Sequence, residues 1–129
     1  MFDFSNATFL KLQSAGNDFY SEMLDPILVV GEQIAYTYRS IREGVVFTNK
    51  RIIIVQSKND NDPVRDDKEN VFTFLPLNRI QAYSVDTAKY IDQTLVLELW
   101  FFGLGIIKME FYPTKQVYEI CRMISEHVL

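Results

Sequence analysis

The chain has 129 residues, 48% hydrophobic and 14% aromatic, with a formal net charge of −4 and a single cysteine. That length suits one domain, the charge argues against non-specific binding to nucleic acid or to an anionic membrane, and a lone cysteine excludes an internal disulfide and points to a reducing compartment. The longest apolar region, residues 95–109, is broken by Glu98, two glycines and Lys108, so it is too interrupted to span a bilayer. The N-terminus lacks the basic-then-apolar pattern of a secretory signal. A cytoplasmic protein is expected.

Residues 1–31 read as a helical N-terminal extension and residues 32–129 as the main domain. Residues 7–16 contain several helix formers and end at Gly16. A second short helix is expected over residues 18–24, with Asn17 as its cap and Pro26 beyond its end. Phe2, Phe4, Phe9, Leu10, Leu12, Phe19, Tyr20, Met23 and Leu24 are too many apolar groups to leave in water. The extension must pack either on its own domain or on a neighbouring copy.

Strand signals begin near Gln33, where Ile34, Tyr36 and Tyr38 alternate with Ala35, Thr37 and Arg39. Residues 41–47 and 52–56 are rich in β-branched side chains and flank Thr48-Asn49-Lys50-Arg51. A tight antiparallel hairpin follows from that pattern. Ile52-Ile53-Ile54-Val55 does not alternate, so both of its faces should be covered. Residues 57–70 are almost wholly polar and read as a long exposed loop. A strand over residues 71–77 ends at Pro76, which cannot donate to a ladder. Asn78-Arg79 turns the chain into a strand over residues 80–87.

After a connection through residues 88–93, the clearest alternation in the chain begins. Leu95, Leu97, Leu99 and Phe101 share one face, and Val96, Glu98 and Trp100 the other. Gly103-Leu104-Gly105 reverses the chain, after which Ile107, Met109 and Phe111 face inward and Ile106, Lys108 and Glu110 outward. Val117, Ile120, Cys121, Ile124 and Val128 then follow at helical spacing, with Thr114 a suitable cap. One apolar stripe is what a helix needs to close the open end of a barrel or sandwich.

Seven strands and a closing amphipathic helix are the order of a pleckstrin-homology-like (PH-like) domain. Gly31-Glu32-Gln33-Ile34-Ala35-Tyr36, then Ile41-Arg42-Glu43-Gly44-Val45-Val46-Phe47-Thr48-Asn49-Lys50-Arg51-Ile52-Ile53-Ile54-Val55, resembles the signature of the bacterial pleckstrin-homology domain family. Tyr83-Ser84-Val85-Asp86-Thr87-Ala88 and Val117-Tyr118-Glu119-Ile120 are also similar to that family's pattern, and the resemblance covers roughly residues 24–129. It implies a mainly β fold, a seven-stranded sandwich or barrel capped by a C-terminal helix. It also implies ring-like homo-oligomers and no established enzymatic activity. The acidic loop over residues 57–70 departs from the pattern, in which a shorter segment with lysines and glycine is expected.

Candidate binding residues are Arg39 and Arg42, where a eukaryotic PH domain holds inositol phosphates, and Lys50 and Arg51 in the hairpin. Two arginines suffice for one phosphate but not for a polyphosphate on an acidic chain, so phosphoinositide binding is not expected. Turn geometry is the competing reason for Lys50 and Arg51. Asp60, Asp62, Asp66 and Asp67 lack the glycine and closing glutamate of a calcium loop. Gly103-Leu104-Gly105 has no third glycine and precedes a strand, unlike a nucleotide fingerprint. His127 and Cys121 stand alone, so neither a metal site nor a cofactor is expected.

Val96, Trp100 and Ile106 would form an exposed apolar patch, which marks an interface unless the N-terminal segment covers it. The leading expectation is a non-catalytic, homo-oligomeric interaction module whose partner is itself or another protein. The alternative is a peripheral module holding an anionic lipid headgroup or peptide through Arg39, Arg42, Lys50 and Arg51. A small enzyme is the third class, for which no acid–base or nucleophile set is visible.

Overall fold

The computed structural model describes residues 6–59, 63–65, 68–86, 95–112 and 116–128, the side chains of Asn6, Leu10 and Val128 excepted. Phe2 and Phe4, Asp60, Asp62, Asp66 and Asp67 of the acidic loop, the connection through residues 88–93, and Thr114 lie outside the described residues. The elements are β1 (Asn6–Ala15), α1 (Ser21–Leu24), β2 (Ile34–Arg39), β3 (Glu43–Thr48), β4 (Arg51–Ser57), β5 (Asn70–Pro76), β6 (Ile80–Asp86), β7 (Leu95–Phe101), β8 (Gly105–Phe111) and α2 (Gln116–Val128). Short 3₁₀ turns lie at Asp25–Ile27 and Leu77–Arg79. All seven expected strands and the closing helix are present, and the class is mainly β. The chain divides into two compact units, Ser14–Leu75 on the one hand and Phe2–Gln13 with Pro76–Leu129 on the other.

In the first unit the strand order is β5-β4-β3-β2. The central hairpin pairs Val45 with Ile54, Val46 with Ile53 and Phe47 with Ile52 in antiparallel register. Ile52, Ile53, Ile54 and Val55 are all fully buried, as an apolar run without alternation requires. Val46, Ile53 and Val55 pack against Tyr20 and Leu24, with Met23, Ile27, Leu28, Ile34 and Phe72 around them. Residues 20–28 therefore pack in cis and cover one face of this sheet. Each such buried aliphatic side chain contributes about 1.5–3 kcal/mol of transfer free energy. The helix is short because Pro26 opens a 3₁₀ turn directly after it. The ring of Tyr20 lies against Gly44, where there is no room for a side chain.

In the second unit the order is β1-β8-β7-β6. β7 alternates strictly, with Leu95, Leu97, Leu99 and Phe101 buried and the residues between them half-buried. On α2, Val117, Ile120 and Ile124 are fully buried, and the helix packs on the Leu77–Arg79 turn and on β6. The Tyr83 hydroxyl donates to the carbonyl of Cys121 and also meets Ser125 Oγ, fixing β6 to α2.

The helix expected over residues 7–16 is a strand. β1 runs parallel to β8, pairing Ala7 with Ile107, Phe9 with Met109 and Leu12 with Phe111. Ala7, Phe9 and Leu12 are buried, and a register shift between Phe9 and Leu12 accommodates their uneven spacing. Lys11, inside that shift, has φ 54. Pairing with β8 satisfies the backbone of this segment and overrides its helix propensity.

Candidate functional site

β3 ends at Thr48 and β4 begins at Arg51, so Asn49 and Lys50 make a two-residue turn. Thr48 Oγ accepts the N–H groups of Lys50 (3.1 Å) and Arg51 (3.0 Å) and donates to Glu32 Oε2 at 2.7 Å. Asn49 reaches back to the turn before β2. Its Oδ1 accepts from Gln33 N at 2.8 Å and its Nδ2 donates to the Gly31 carbonyl at 3.0 Å. Gly31 has φ 80, a conformation that suits glycine there. Arg51 grips Glu32 with both arms, Nε to Oε2 at 2.8 Å and Nη2 to Oε1 at 2.9 Å. Nη2 also donates to the Ile27 carbonyl at 3.0 Å, and the guanidinium lies 4.5 Å from the centre of the Phe74 ring.

The Glu32 side chain is fully buried and Arg51 is 20% exposed. Burial pushes the Glu32 carboxyl up, but the bonds from Arg51, Thr48 and the Val29 N–H outweigh it and hold the group below the usual carboxylate range. Thr48, Asn49 and Arg51 thus fasten residues 27–33 to the hairpin. Lys50, between them, is exposed.

Arg39 and Arg42 sit at the other end of β3. The Ser40 N–H donates to the Glu43 carbonyl at 2.8 Å and closes that turn. Arg39 lies 5.2 Å from the centre of the Phe19 ring, Arg42 is exposed, and Ile41 between them is 84% exposed. Six residues of strand separate the two turns, roughly 20 Å at the usual rise. The structure therefore brings Arg39 and Arg42 together, and Lys50 and Arg51 together, but not all four. Glu43 beside them is held above the usual carboxylate range by burial, against the opposing effects of a bond from Gln56 and of the Arg42 charge.

The third group is on the second unit. Trp100 stands directly opposite Ile106 on β8 and opposite Ala82 on β6. This uncharged row crosses three strands. The next row along is polar, with Glu98 between Ser84 and Lys108. Val96 lies beyond it, between Asp86 and Glu110, and so is set apart from Trp100 and Ile106. In the turn between β7 and β8, Phe102 is 70% and Leu104 42% exposed. Sequence reasoning missed these two because Leu104 fell within the reversal and Phe102 between it and the end of the strand. Ala82, Trp100 and Ile106 thus form an uncharged row with a row that carries Glu98 and Lys108 beside it.

A family model, "Bacterial PH domain", matches residues 3–128. The uncharacterised protein YjqA of Bacillus subtilis (strain 168) is 28% identical over 106 residues, 81% of each chain. Among solved structures, a protein with a pleckstrin-homology domain from Shewanella loihica PV-4 superposes with a TM-score of 0.74 at 28% identity, covering 93% of this chain and 99% of its own. A pleckstrin-homology domain from Shewanella amazonensis SB2B gives 0.62 at 25% identity, with coverages of 89% and 90%.

Proposed function

The chain belongs to the bacterial PH domain family, and on that premise we propose that it is a non-catalytic interaction module that assembles with copies of itself. The observation that carries this reading is the uncharged row of Ala82, Trp100 and Ile106, with Phe102 and Leu104 exposed in the adjoining turn. Exposed large aromatic side chains with charged residues beside them are the composition of contact surfaces. In a chain of net charge −4, an uncharged surface is also where two copies approach with least repulsion. Sedimentation velocity at micromolar concentration tests it. Wild type is expected to sediment as an oligomer, and Trp100→Glu combined with Phe102→Glu as a folded monomer. A monomeric wild type, or an oligomer indifferent to both changes, sinks the reading.

A second reading rests on Ile41. It is 84% exposed and stands between Arg39 and Arg42, with Phe19 beside Arg39. An apolar tip flanked by two guanidinium groups suits the surface of an anionic bilayer. Co-sedimentation with phosphatidylserine vesicles, abolished by Arg39→Glu and Arg42→Glu, is the expected outcome. Equal recovery of wild type and the charge-reversed variant overturns it.

A further inference from the structure

Glu43 opens β3 directly after the exposed Arg42 and stands opposite Gln56 of β4. Gln56 Nε2 donates to Glu43 Oε2 at 3.1 Å. The other end of the same amide is an anomaly. Gln56 Oε1 is buried, and no donor among the described residues reaches it. Buried acceptors are nearly always satisfied, because an unmet one is costly. An ionised Glu43 cannot help, since a carboxylate only accepts.

A proton on Glu43 changes that. The carboxylic acid gains an O–H, which Gln56 Oε1 accepts while Nε2 keeps its bond to the second carboxyl oxygen. Acid and amide then satisfy each other with two bonds. Burial favours the same form, because it disfavours the charged one. Among the surrounding charges, Arg42 acts the other way. Arg39, across the turn, lies over the Phe19 ring. On β4, Lys58 is bonded to Glu69 at 2.9 Å. Tyr20 packs against Gly44, on the opposite side of β3 from Glu43, and its hydroxyl titrates far above neutrality.

Glu43 is also part of the turn that carries Arg39, Ile41 and Arg42, since its carbonyl accepts the Ser40 N–H. We propose that Glu43 and Gln56 form a proton-operated pair that sets the charge of this turn, so that the turn holds an anionic bilayer more tightly once Glu43 is neutral. The proposal rests on the second reading above. An ionised Glu43 offsets one of the two arginines, and a neutral one offsets neither. One more uncancelled positive charge at an anionic surface strengthens binding by about fivefold. Proton uptake and docking are then linked, each favouring the other by the same factor.

Co-sedimentation of the full chain with phosphatidylglycerol vesicles, between neutral pH and pH 4.5, the ordinary value for a glutamate, tests the coupling. Wild type is expected to bind more tightly as pH falls. Glu43→Gln should bind about fivefold more tightly than wild type at neutral pH and match it at the acid end. Glu126→Gln, which removes a charge from α2, should behave as wild type. Carbon-13 NMR of the unmodified protein, without vesicles, tests the pair itself. The Glu43 carboxyl should titrate above 4.5, and the Gln56 side-chain amide should shift with the same midpoint. The proposal is overturned if Glu43 titrates at or below 4.5, if the Gln56 amide does not follow it, or if Glu43→Gln and Glu126→Gln bind alike. Binding that Arg39→Glu and Arg42→Glu abolish but Glu43→Gln leaves unchanged removes this proposal alone. Absence of vesicle binding at every pH removes the second reading with it.

Discussion

Gly44 lies beneath the ring of Tyr20 so closely that a Cβ there would stand 2.6 Å from the Tyr20 Cε2 and Cζ atoms. Tyr20 is 4% exposed and belongs to the apolar cluster that holds residues 20–28 on the sheet. The glycine is what lets that segment settle. Gly44→Ala should therefore destabilise the protein by about 1–3 kcal/mol through overpacking. In a denaturant double-mutant cycle, Tyr20→Leu should relieve most of that cost. Additive effects of the two changes would show that the close approach does not govern stability.

Burial of the same ring pushes the Tyr20 hydroxyl up to about 12 from 10.0, although the nearby Arg39 charge pulls the other way. The native state thus holds this proton more tightly than the unfolded chain does. Its contribution is fully present below pH 10.0 and is lost as pH rises toward about 12. The loss is on the order of 2 kcal/mol. Tyr20→Phe should flatten the fall in stability over that window, measured as the urea midpoint against pH.

Glu32 has the opposite sign. Its carboxyl is buried, yet the bonds from Arg51, Thr48 and Val29 hold it below its ordinary value of 4.5. The unfolded chain takes up the proton first, so this stabilisation is present above pH 4.5 and is lost as pH falls through the lower, native value. Glu32→Gln should reduce the acid dependence of thermal unfolding. Arg51→Ala strands a buried carboxylate and should cost more, about 3–5 kcal/mol. Equal costs for the two would mean that the pair carries no buried charge.

Tyr83→Phe removes the hydroxyl that donates to the Cys121 carbonyl and meets Ser125. About 1 kcal/mol of stability should go with it. The loss should appear as faster amide exchange in α2 while β3 and β4 keep their protection, since those strands belong to the other unit.

The strands β7 and β8 were legible because one face is buried and the other is not, so the pleat writes itself into the sequence as strict alternation. β1 was not. Its buried residues, Ala7, Phe9 and Leu12, are spaced unevenly by the register shift at Lys11, and the residues between them favour helices in isolation. The hairpin was legible as a turn, but its purpose was not. Glu32, the residue to which Arg51 is bonded, lies 19 positions earlier, and no local spacing records a long-range ion pair. For the candidate surface, alternation put Trp100 and Ile106 outward and the strand register set them side by side. Register also detached Val96 from them, because Glu98 and its neighbours intervene, a matter of two dimensions that one dimension does not encode.

The lone thiol offers a practical return on the geometry of α2. Cys121 is half-buried, and burial holds its thiol above the ordinary range, so alkylation is slow while the helix stays seated. Being the only sulfhydryl in the chain, it needs no engineering to serve as a clock. The labelling rate of the unmodified protein rises when the C-terminal helix lifts from its seat and exposes the thiol fully. Ligands, partner copies or substitutions that grip that end of the molecule would announce themselves as a slower clock.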